Sequence, residues 1–213
     1  MVAPVRGHEI YVEDIEFGKL KKLGDFGRIA KLTYRGKELI IQTPKLYVPF
    51  GVSKFDTKYS LDVSFDGATD DDDCIMSNFL KRLVKLDELV QSLAKTNKSW
   101  LKGKKHIYCP IVKHSLTDDG EIDDRYAPKM RVKLPVWDDQ VKFQLFDNSG
   151  KCIDLKPRTI ENEITKGSDI RIILSCTGLW IAGSKYGVSF KVKQAQIFKR
   201  VNMNEFLFSD SED

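Results

Sequence analysis

The stretch GSDIRIILSCTGLWIAGSKYGVSFKVKQAQIFKR, residues 167–200, decides the fold because it predicts two long neighbouring strands. Ile170 to Cys176 is a nearly continuous apolar run, which is typical of a strand covered on both faces. Val188 to Phe198 alternates between apolar and polar residues. Its apolar phase slips by one residue between Val192 and Ala195, which predicts a β-bulge.

A glycine-rich segment, TGLWIAGSKYG at 177–187, separates these two runs, and it predicts a mobile hairpin connection. It carries Trp180, Lys185 and Tyr186. Exposed aromatic rings and a lysine suit a surface that stacks bases and neutralises phosphates. The alternative is that Trp180 caps the core while the lysines are merely solvated.

The composition describes a protein that can build a sizeable core, with 213 residues, 41% hydrophobic and 31% charged. The four cysteines, at 74, 109, 152 and 176, form no CxxC pair, so free thiols in a reducing compartment are expected. The first residues lack the apolar core of a signal peptide. We therefore expect an intracellular protein, in the cytoplasm or nucleus, that is not secreted.

The charge is unevenly distributed along the chain. The last 13 residues carry four acids and no bases, so the first 200 residues hold 35 basic and 27 acidic side chains, a net charge of +8. A basic body with an acidic tail points toward nucleic acid as a partner.

Further short strands and one helix follow from the patterns elsewhere. Alternation or extended character predicts strands within residues 26–34, 38–43, 57–65, 109–116, 128–137, 141–147 and 151–155. Helical spacing from Ile75 to Leu93 predicts one amphipathic helix that lies against the sheet, with the aspartates of 70–73 in its first turn. The fold class predicted is mainly β: an OB-like Greek-key barrel with an inserted helix and a disordered acidic C-terminal tail. We expect one OB-like domain over residues 1–200, with the helical insertion at about 70–105, and the tail at 201–213.

The densest basic and aromatic patch is KTNKSWLKGKKHIY at 95–108, with five lysines among residues 95–105. Lysines beside an indole suit a groove for a single strand, in which charge follows the phosphates and rings stack on bases. An equally weighted alternative is a solvated helix end with Trp100 packed inward.

Enzyme signatures are missing from the sequence. The three histidines and four cysteines form no set of metal ligands, and no GxGxxG, GxxxxGK[ST] or GxSxG motif occurs. No catalytic residues, metal site or cofactor are expected. A nuclease is the disfavoured third hypothesis.

The chain resembles the single-stranded DNA-binding proteins of large nucleocytoplasmic DNA viruses, which are related to the replication proteins of short-tailed phages. The similarity lies in YRGKELIIQTPKLYVPFGV (34–52), KFQLFDNSGK (142–151), KGSDIRIILSCTGLWIAGSKYGVSFKVKQAQIF (166–198) and the acidic, phenylalanine-containing C-terminus. It implies an OB-fold core, coating of exposed strands in replication or recombination, and a tail that contacts partner proteins. The phage tails end on an aromatic residue, whereas this chain ends in SDSED.

The leading hypothesis is a sequence-tolerant single-stranded DNA-binding protein without enzymatic activity. The candidate nucleic-acid-binding residues are Lys98, Trp100, Lys102, Lys104, Lys105, Tyr108, Trp180, Lys185, Tyr186, Lys191 and Lys193. The candidate partner-binding residues of the tail, for replication proteins, are Phe206, Phe208, Asp210, Glu212 and Asp213. The alternative role for the tail phenylalanines is a final short strand on the barrel. The runner-up function is a structural or assembly protein of a virion, and the oligomeric state is open, with a homodimer as one option.

Overall fold

The structure, a computed structural model, describes residues 2–24, 27–69, 74–102 and 105–199, apart from the side chain of Lys98. Its strands, in chain order, are β1 (Val5–Arg6), β2 (Ile15–Phe17), β3 (Lys21–Leu23), β4 (Gly27–Ala30), β5 (Leu32–Tyr34), β6 (Lys37–Glu38), β7 (Ile40–Gln42), β8 (Leu46–Tyr47), β9 (Val52–Phe55), β10 (Lys58–Ser64), β11 (Ile107–Cys109), β12 (Val112–Lys113), β13 (Lys129–Leu134), β14 (Val136–Trp137), β15 (Gln140–Val141), β16 (Gln144–Phe146), β17 (Cys152–Ile153), β18 (Asp169–Ala182) and β19 (Lys185–Phe198). The helices are α1 (Ile75–Thr96), α2 (Lys98–Leu101) and α3 (Ile160–Glu163), with 3₁₀ turns at Gly7–Glu9 and Val12–Asp14.

The main sheet closes on itself into a barrel. β18 pairs with β7 and β8, β8 pairs with β10, and β10 pairs with β13, all antiparallel. β13 then runs parallel to β19, and β19 returns antiparallel to β18. This order, in which the fifth strand lies between the third and the fourth, is that of the OB-type Greek-key barrel. The predicted fold class is therefore confirmed for the described residues, with α1 inserted between the second and third barrel strands.

Alternate residues of the barrel strands fill its interior. Leu61, Met130, Val132, Leu174 and Val192 are all at most 1% exposed. Their neighbours in each strand point outward, because successive side chains of a strand alternate between its two faces. The outer face of these strands is thus free to carry polar groups.

The long β18–β19 ribbon is the centre of the barrel, as residues 167–200 predicted. Its register shifts by one residue opposite Ile173 and Leu174, which leaves Lys193 as the extra residue of a bulge. The predicted slip between Val192 and Ala195 is thereby confirmed. A second shift, between Cys176 and Gly178, leaves Thr177 as an extra residue.

The predicted glycine-rich connection is wrong in extent. Residues 177–182 continue β18, and the turn consists of Gly183 and Ser184 alone. Two glycines in this stretch provide room for close packing. A Cβ on Gly178, whose φ is +119°, would lie 2.3 Å from the Ala30 carbonyl oxygen, and one on Gly187 would lie 2.5 Å from that of Cys109. These glycines permit close approach of a neighbouring chain segment, which their sequence spacing alone does not distinguish from a loop.

Helix α1 follows the predicted apolar spacing but begins at Ile75, after the aspartates, which lie outside the described residues. Its first turn among the described residues therefore contains no acid. The helix contacts the N-terminal 3₁₀ turns and β12, and the Phe79 ring lies 5.8 Å from that of Phe65, the residue that follows β10. No described helix has the length and apolar character that a membrane span needs.

The remaining strand predictions are mostly confirmed. β10 and β13 occupy the expected segments, and β5 and β6 form the hairpin expected around Arg35 and Gly36. The hairpin is shorter than predicted, because the segment at 26–34 is divided into β4 and β5 and the segment at 38–43 into β6 and β7, and both β4 and β7 pair with β18 instead. The run at 109–116 is broken at Pro110 into β11 and β12, and the pattern at 151–155 yields only the two residues of β17.

Candidate nucleic-acid interface

A cleft of about 550 Å³ lies on the outer face of barrel strands β10, β13, β19 and β18. The segment from Cys109 to Lys113 and the short β14 contribute further lining residues to it. Slightly more than half of its lining residues are apolar or aromatic, and Trp137 and Trp180 are among them. Its charged lining residues among the described part of the chain are all basic: Lys58, Lys113, Arg131, Lys133 and Lys191.

The strand register sets three polar side chains in a row across the cleft. Ser60 on β10 is paired with Lys133 on β13, and Lys133 is paired with Lys191 on β19. Directly paired residues share one face of a sheet. The row therefore follows from strand pairing, although its members are far apart in the sequence.

The lysines of the cleft are not neutralised by acids. Among the described residues, Lys58, Lys113, Lys133 and Lys191 make no ion pair. Partial desolvation, and then the positive charge of Lys58, lowers the pKa of Lys133 from its ordinary value. An ammonium in this position gains from an incoming anion, because the anion offsets both effects.

Arg131 differs from these lysines because it already has a partner. Its guanidinium donates to both carboxylate oxygens of Asp62, through Nε and Nη2, each at 2.7 Å. Such a bidentate pair fixes the planar guanidinium. Arg131 thus contributes little free positive charge to the cleft.

Two indoles stand in the same cleft. Trp180 is half-buried on β18 opposite Gly187, and a Cβ on Gly187 would lie 3.2 Å from its Cζ2 atom. Trp137 is 50% exposed on β14, with Lys142 Nζ 5.9 Å from its ring centroid. Aromatic faces within reach of lysines are what a single strand uses for stacking and phosphate contacts.

One wall of the cleft is held by a buried carboxylate on α1. Asp87 is 6% exposed, and its oxygens accept hydrogen bonds from the backbone N–H groups of Ile111 (2.9 Å) and Val112 (3.1 Å) and from the Tyr108 hydroxyl (2.5 Å). Burial raises the pKa of Asp87, although its three donors oppose that change. The inserted helix is thus connected to the cleft wall formed by residues 109–113.

Of the residues singled out in the sequence, Trp180 and Lys191 line the cleft. Trp100 does not: it is 7% exposed, its ring lies 5.6 Å from that of Phe17, and its carbonyl accepts from the Arg28 guanidinium. This position agrees with the alternative interpretation of the sequence, in which Trp100 packs inward at the helix end. The stacking role predicted for Trp100 is not compatible with this burial.

Tyr186 is also buried, and Tyr108 is half-buried beside it. Tyr186 is 6% exposed, and its ring lies 5.0 Å from that of Tyr108. Burial and the Asp87 carboxylate raise the pKa of Tyr108. Both tyrosines therefore serve as packing and anchoring groups beside the cleft.

The remaining predicted lysines do not line the cleft. Lys102, Lys105 and Lys185 are exposed elsewhere, and Lys193 is 3.5 Å from the Glu38 carboxylate. Lys104, the side chain of Lys98, and the tail residues Phe206, Phe208, Asp210, Glu212 and Asp213 lie outside the described part of the chain.

Sequence reasoning missed Lys58, Lys113, Lys133 and Trp137. A signal was present for Lys133, because the alternation in KMRVKL (129–134) places it and Arg131 on the face opposite the core. Nothing local could show that this face meets Lys191, since that contact depends on strand order. Trp137 follows Pro135, which interrupts the strand and obscures its orientation.

No protein-family model matches the sequence. No curated protein matches it either. Similar solved structures include the single-stranded DNA-binding protein from bacteriophage Enc34, at 12% identity and a TM-score of 0.48, covering 90% of this chain and 96% of that one. Another is gp2.5, a single-stranded DNA-binding protein encoded by bacteriophage T7, at 11% identity and a TM-score of 0.45, covering 80% and 98% of the two chains. The Enc34 protein in complex with single-stranded DNA aligns at 10% identity and a TM-score of 0.46, covering 86% and 96%. Similarity at this level gives no residue of this chain a role.

Proposed function

We propose that this protein binds single-stranded DNA with little sequence preference, has no enzymatic activity, and coats exposed strands during replication or recombination. The observation that carries the proposal is the cleft, in which lysines without acidic partners lie beside the two indoles of Trp137 and Trp180. Lysines neutralise phosphates of any sequence, and aromatic rings stack on any base. The cleft therefore suits an unpaired strand whose bases are free to stack.

The experiment is a titration of the full chain with a labelled oligo-dT strand and with a matched duplex. The single strand should bind more tightly, because the bases of a duplex are already stacked on each other. Its affinity should fall with salt, with a log–log slope of about −0.7 for each phosphate contact. Absence of oligo-dT binding at low salt would refute the proposal.

The proposal extends to the biological setting and the tail. The resemblance to the single-stranded DNA-binding proteins of large nucleocytoplasmic DNA viruses favours a viral replication protein that acts inside the host cell, in cytoplasm or nucleus. The tail, with four acids at 205–213, would contact replication proteins through Phe206 and Phe208 and would compete with DNA for the lysines. Its affinity for the basic body would weaken with salt.

The assembly alternative is favoured by one other surface. Leu116 and Ile122, paired across an exposed loop, are 63% and 54% exposed, and Tyr126 nearby in the sequence is 58% exposed. Exposed apolar groups of this kind occur at protein contacts. A protein that forms large assemblies without DNA and ignores oligo-dT would favour the structural function over the binding one.

A further inference from the structure

We propose that the cleft contains one defined phosphate seat, in which Lys133, flanked by Lys58 and Lys191, holds an internal phosphodiester while the two bases it joins stack on Trp180 and Trp137. This inference rests on the proposed single-strand function and goes further by stating which lysine sets the register of the strand.

Lys133 is held in place by a chain of hydroxyl groups. Its ammonium donates to the Ser189 Oγ at 3.1 Å, and this oxygen lies 2.6 Å from Thr177 Oγ1. Thr177 in turn donates to the Ser189 carbonyl at 2.8 Å, so the Ser189 hydroxyl is left to donate to Thr177. Since an ammonium carries three N–H donors and Ser189 accepts one, Lys133 retains donors for a phosphate.

The acids around this position are already engaged. The Asp62 carboxylate is held by Arg131, and the Glu38 carboxylate accepts from Ser175 at 2.7 Å and lies 3.5 Å from Lys193. The Ser175 hydrogen bond, followed by the charges of Lys193 and Lys191, lowers the pKa of Glu38. Lys133 therefore faces like charge from Lys58 without a carboxylate of its own among the described residues, and a bound phosphate would relieve that repulsion.

Both tryptophans line the same cleft as this ammonium. Ser189, which holds Lys133, is two residues from Gly187, the partner of Trp180, so these positions are about 7 Å apart along β19. Trp137 follows Lys133 by four residues, beyond the end of β13 and across Pro135. Single-stranded DNA with a phosphate bound at Lys133 would therefore contact one indole on the β18 side and another beyond β13. This arrangement defines a subsite for a phosphodiester with one stacked base on each side.

The test compares three single variants of the full chain, Lys133→Met, Lys133→Arg and Lys156→Met, in oligo-dT titrations over a range of salt. Lys156 is exposed and lies outside the cleft, so it is the matched control. Lys133→Met should lower the affinity at low salt by about 10- to 100-fold, the loss of one charge-assisted hydrogen bond. Its salt slope should be less steep by about 0.7. Lys133→Arg, which keeps the charge, should retain the slope, and melting curves will show that the variants fold.

A double-mutant comparison tests whether a base next to the bound phosphate stacks on Trp180. Trp180→Ala should weaken oligo-dT binding strongly in the wild-type background but much less in the Lys133→Met background, because an unseated phosphate no longer positions the adjoining base. In the Lys156→Met background the tryptophan effect should remain at its full size. Additive effects of Lys133→Met and Trp180→Ala would overturn the bracketed subsite.

The outcomes separate the seat from the function on which it rests. If wild-type protein binds oligo-dT and Lys133→Met behaves like Lys156→Met, the phosphate seat is wrong while single-strand binding stands. If wild-type protein binds no oligo-dT, both proposals fail.

Discussion

Replacement of Asp87 by asparagine should destabilise the protein by about 1–3 kcal/mol, because one of the buried donors around it loses its acceptor. In the native chain the two carboxylate oxygens accept from Tyr108, Ile111 and Val112. An asparagine keeps the volume but only one acceptor oxygen, and its NH₂ group then faces a backbone N–H. The cost arises from that unpaired donor, since buried polar groups without partners are expensive.

The neighbouring Glu88 provides the matched control. It is exposed on the same helix, so Glu88→Gln should change the free energy of unfolding by no more than about 0.5 kcal/mol. The assay is urea unfolding of the full chain, with the slope of the transition used to check that both variants unfold in one step. Equal stabilities of Asp87→Asn and Glu88→Gln would refute the assigned role of Asp87.

The pH dependence adds a second check with a definite sign. Because burial raises the pKa of Asp87 in the folded state, its contribution to stability is present below its unfolded pKa and is lost as pH rises through the raised folded pKa. Asparagine does not titrate, so the deficit of Asp87→Asn should be larger at about pH 4, near the ordinary pKa of an aspartate, than at neutral pH. A deficit that grows toward neutral pH would contradict the stated direction of the pKa change.

Three further predictions follow from other parts of the molecule. Trp180→Ala or Trp137→Ala should weaken oligo-dT binding by about 1–3 kcal/mol with little change in melting temperature. Trp100→Ala should instead lower the free energy of unfolding by about 3–5 kcal/mol and leave binding per folded molecule unchanged. Melting curves measured beside the titrations will distinguish these two kinds of tryptophan. Alkylation of the native protein near neutral pH should modify Cys74 first and Cys176 last. Hydrogen bonds from Ser77 lower the pKa of Cys74 to about 6, whereas burial raises the pKa of Cys176 to about 12. Equal alkylation rates of the two thiols, measured by peptide mass mapping, would contradict this order. Deletion of residues 205–213 should tighten oligo-dT binding at low salt, with a gain that shrinks as salt rises, and unchanged affinity at low salt would end the competition idea.

The fold was largely predictable because its signals are local. The apolar run at 170–176, the phase slip before Ala195 and the helical spacing after Ile75 each depend on neighbouring residues, and each has its counterpart in the structure. The glycines at 178 and 187 misled for a physical reason. Glycine serves both for turns and for close approach of two backbones, and only the tertiary contact to Ala30 or Cys109 distinguishes the two.

The aromatic residues of the candidate site were harder to predict than the fold. Trp100 and Trp180 both lie in segments with lysines and glycines, yet one packs on Phe17 and the other lines the cleft. Burial of a tryptophan depends on what the rest of the chain places over it. Sequence neighbours alone therefore cannot separate a stacking ring from a core ring.

The same limit explains why the densest run of lysines was a poor guide to the cleft. The three lysines of this run whose side chains the structure describes, Lys95, Lys102 and Lys105, are exposed and do not line the cleft. Lys133 and Lys191, by contrast, meet there through strand pairing across 57 intervening residues. Net charge counts every lysine equally, but a lysine paired with a carboxylate, such as Lys193 with Glu38, has much of its field cancelled. The charge available to a phosphate is therefore that of the lysines without acidic partners. Neutralising Lys133 should consequently lower DNA affinity more than neutralising Lys193, although the two substitutions change the net charge of the protein by the same amount.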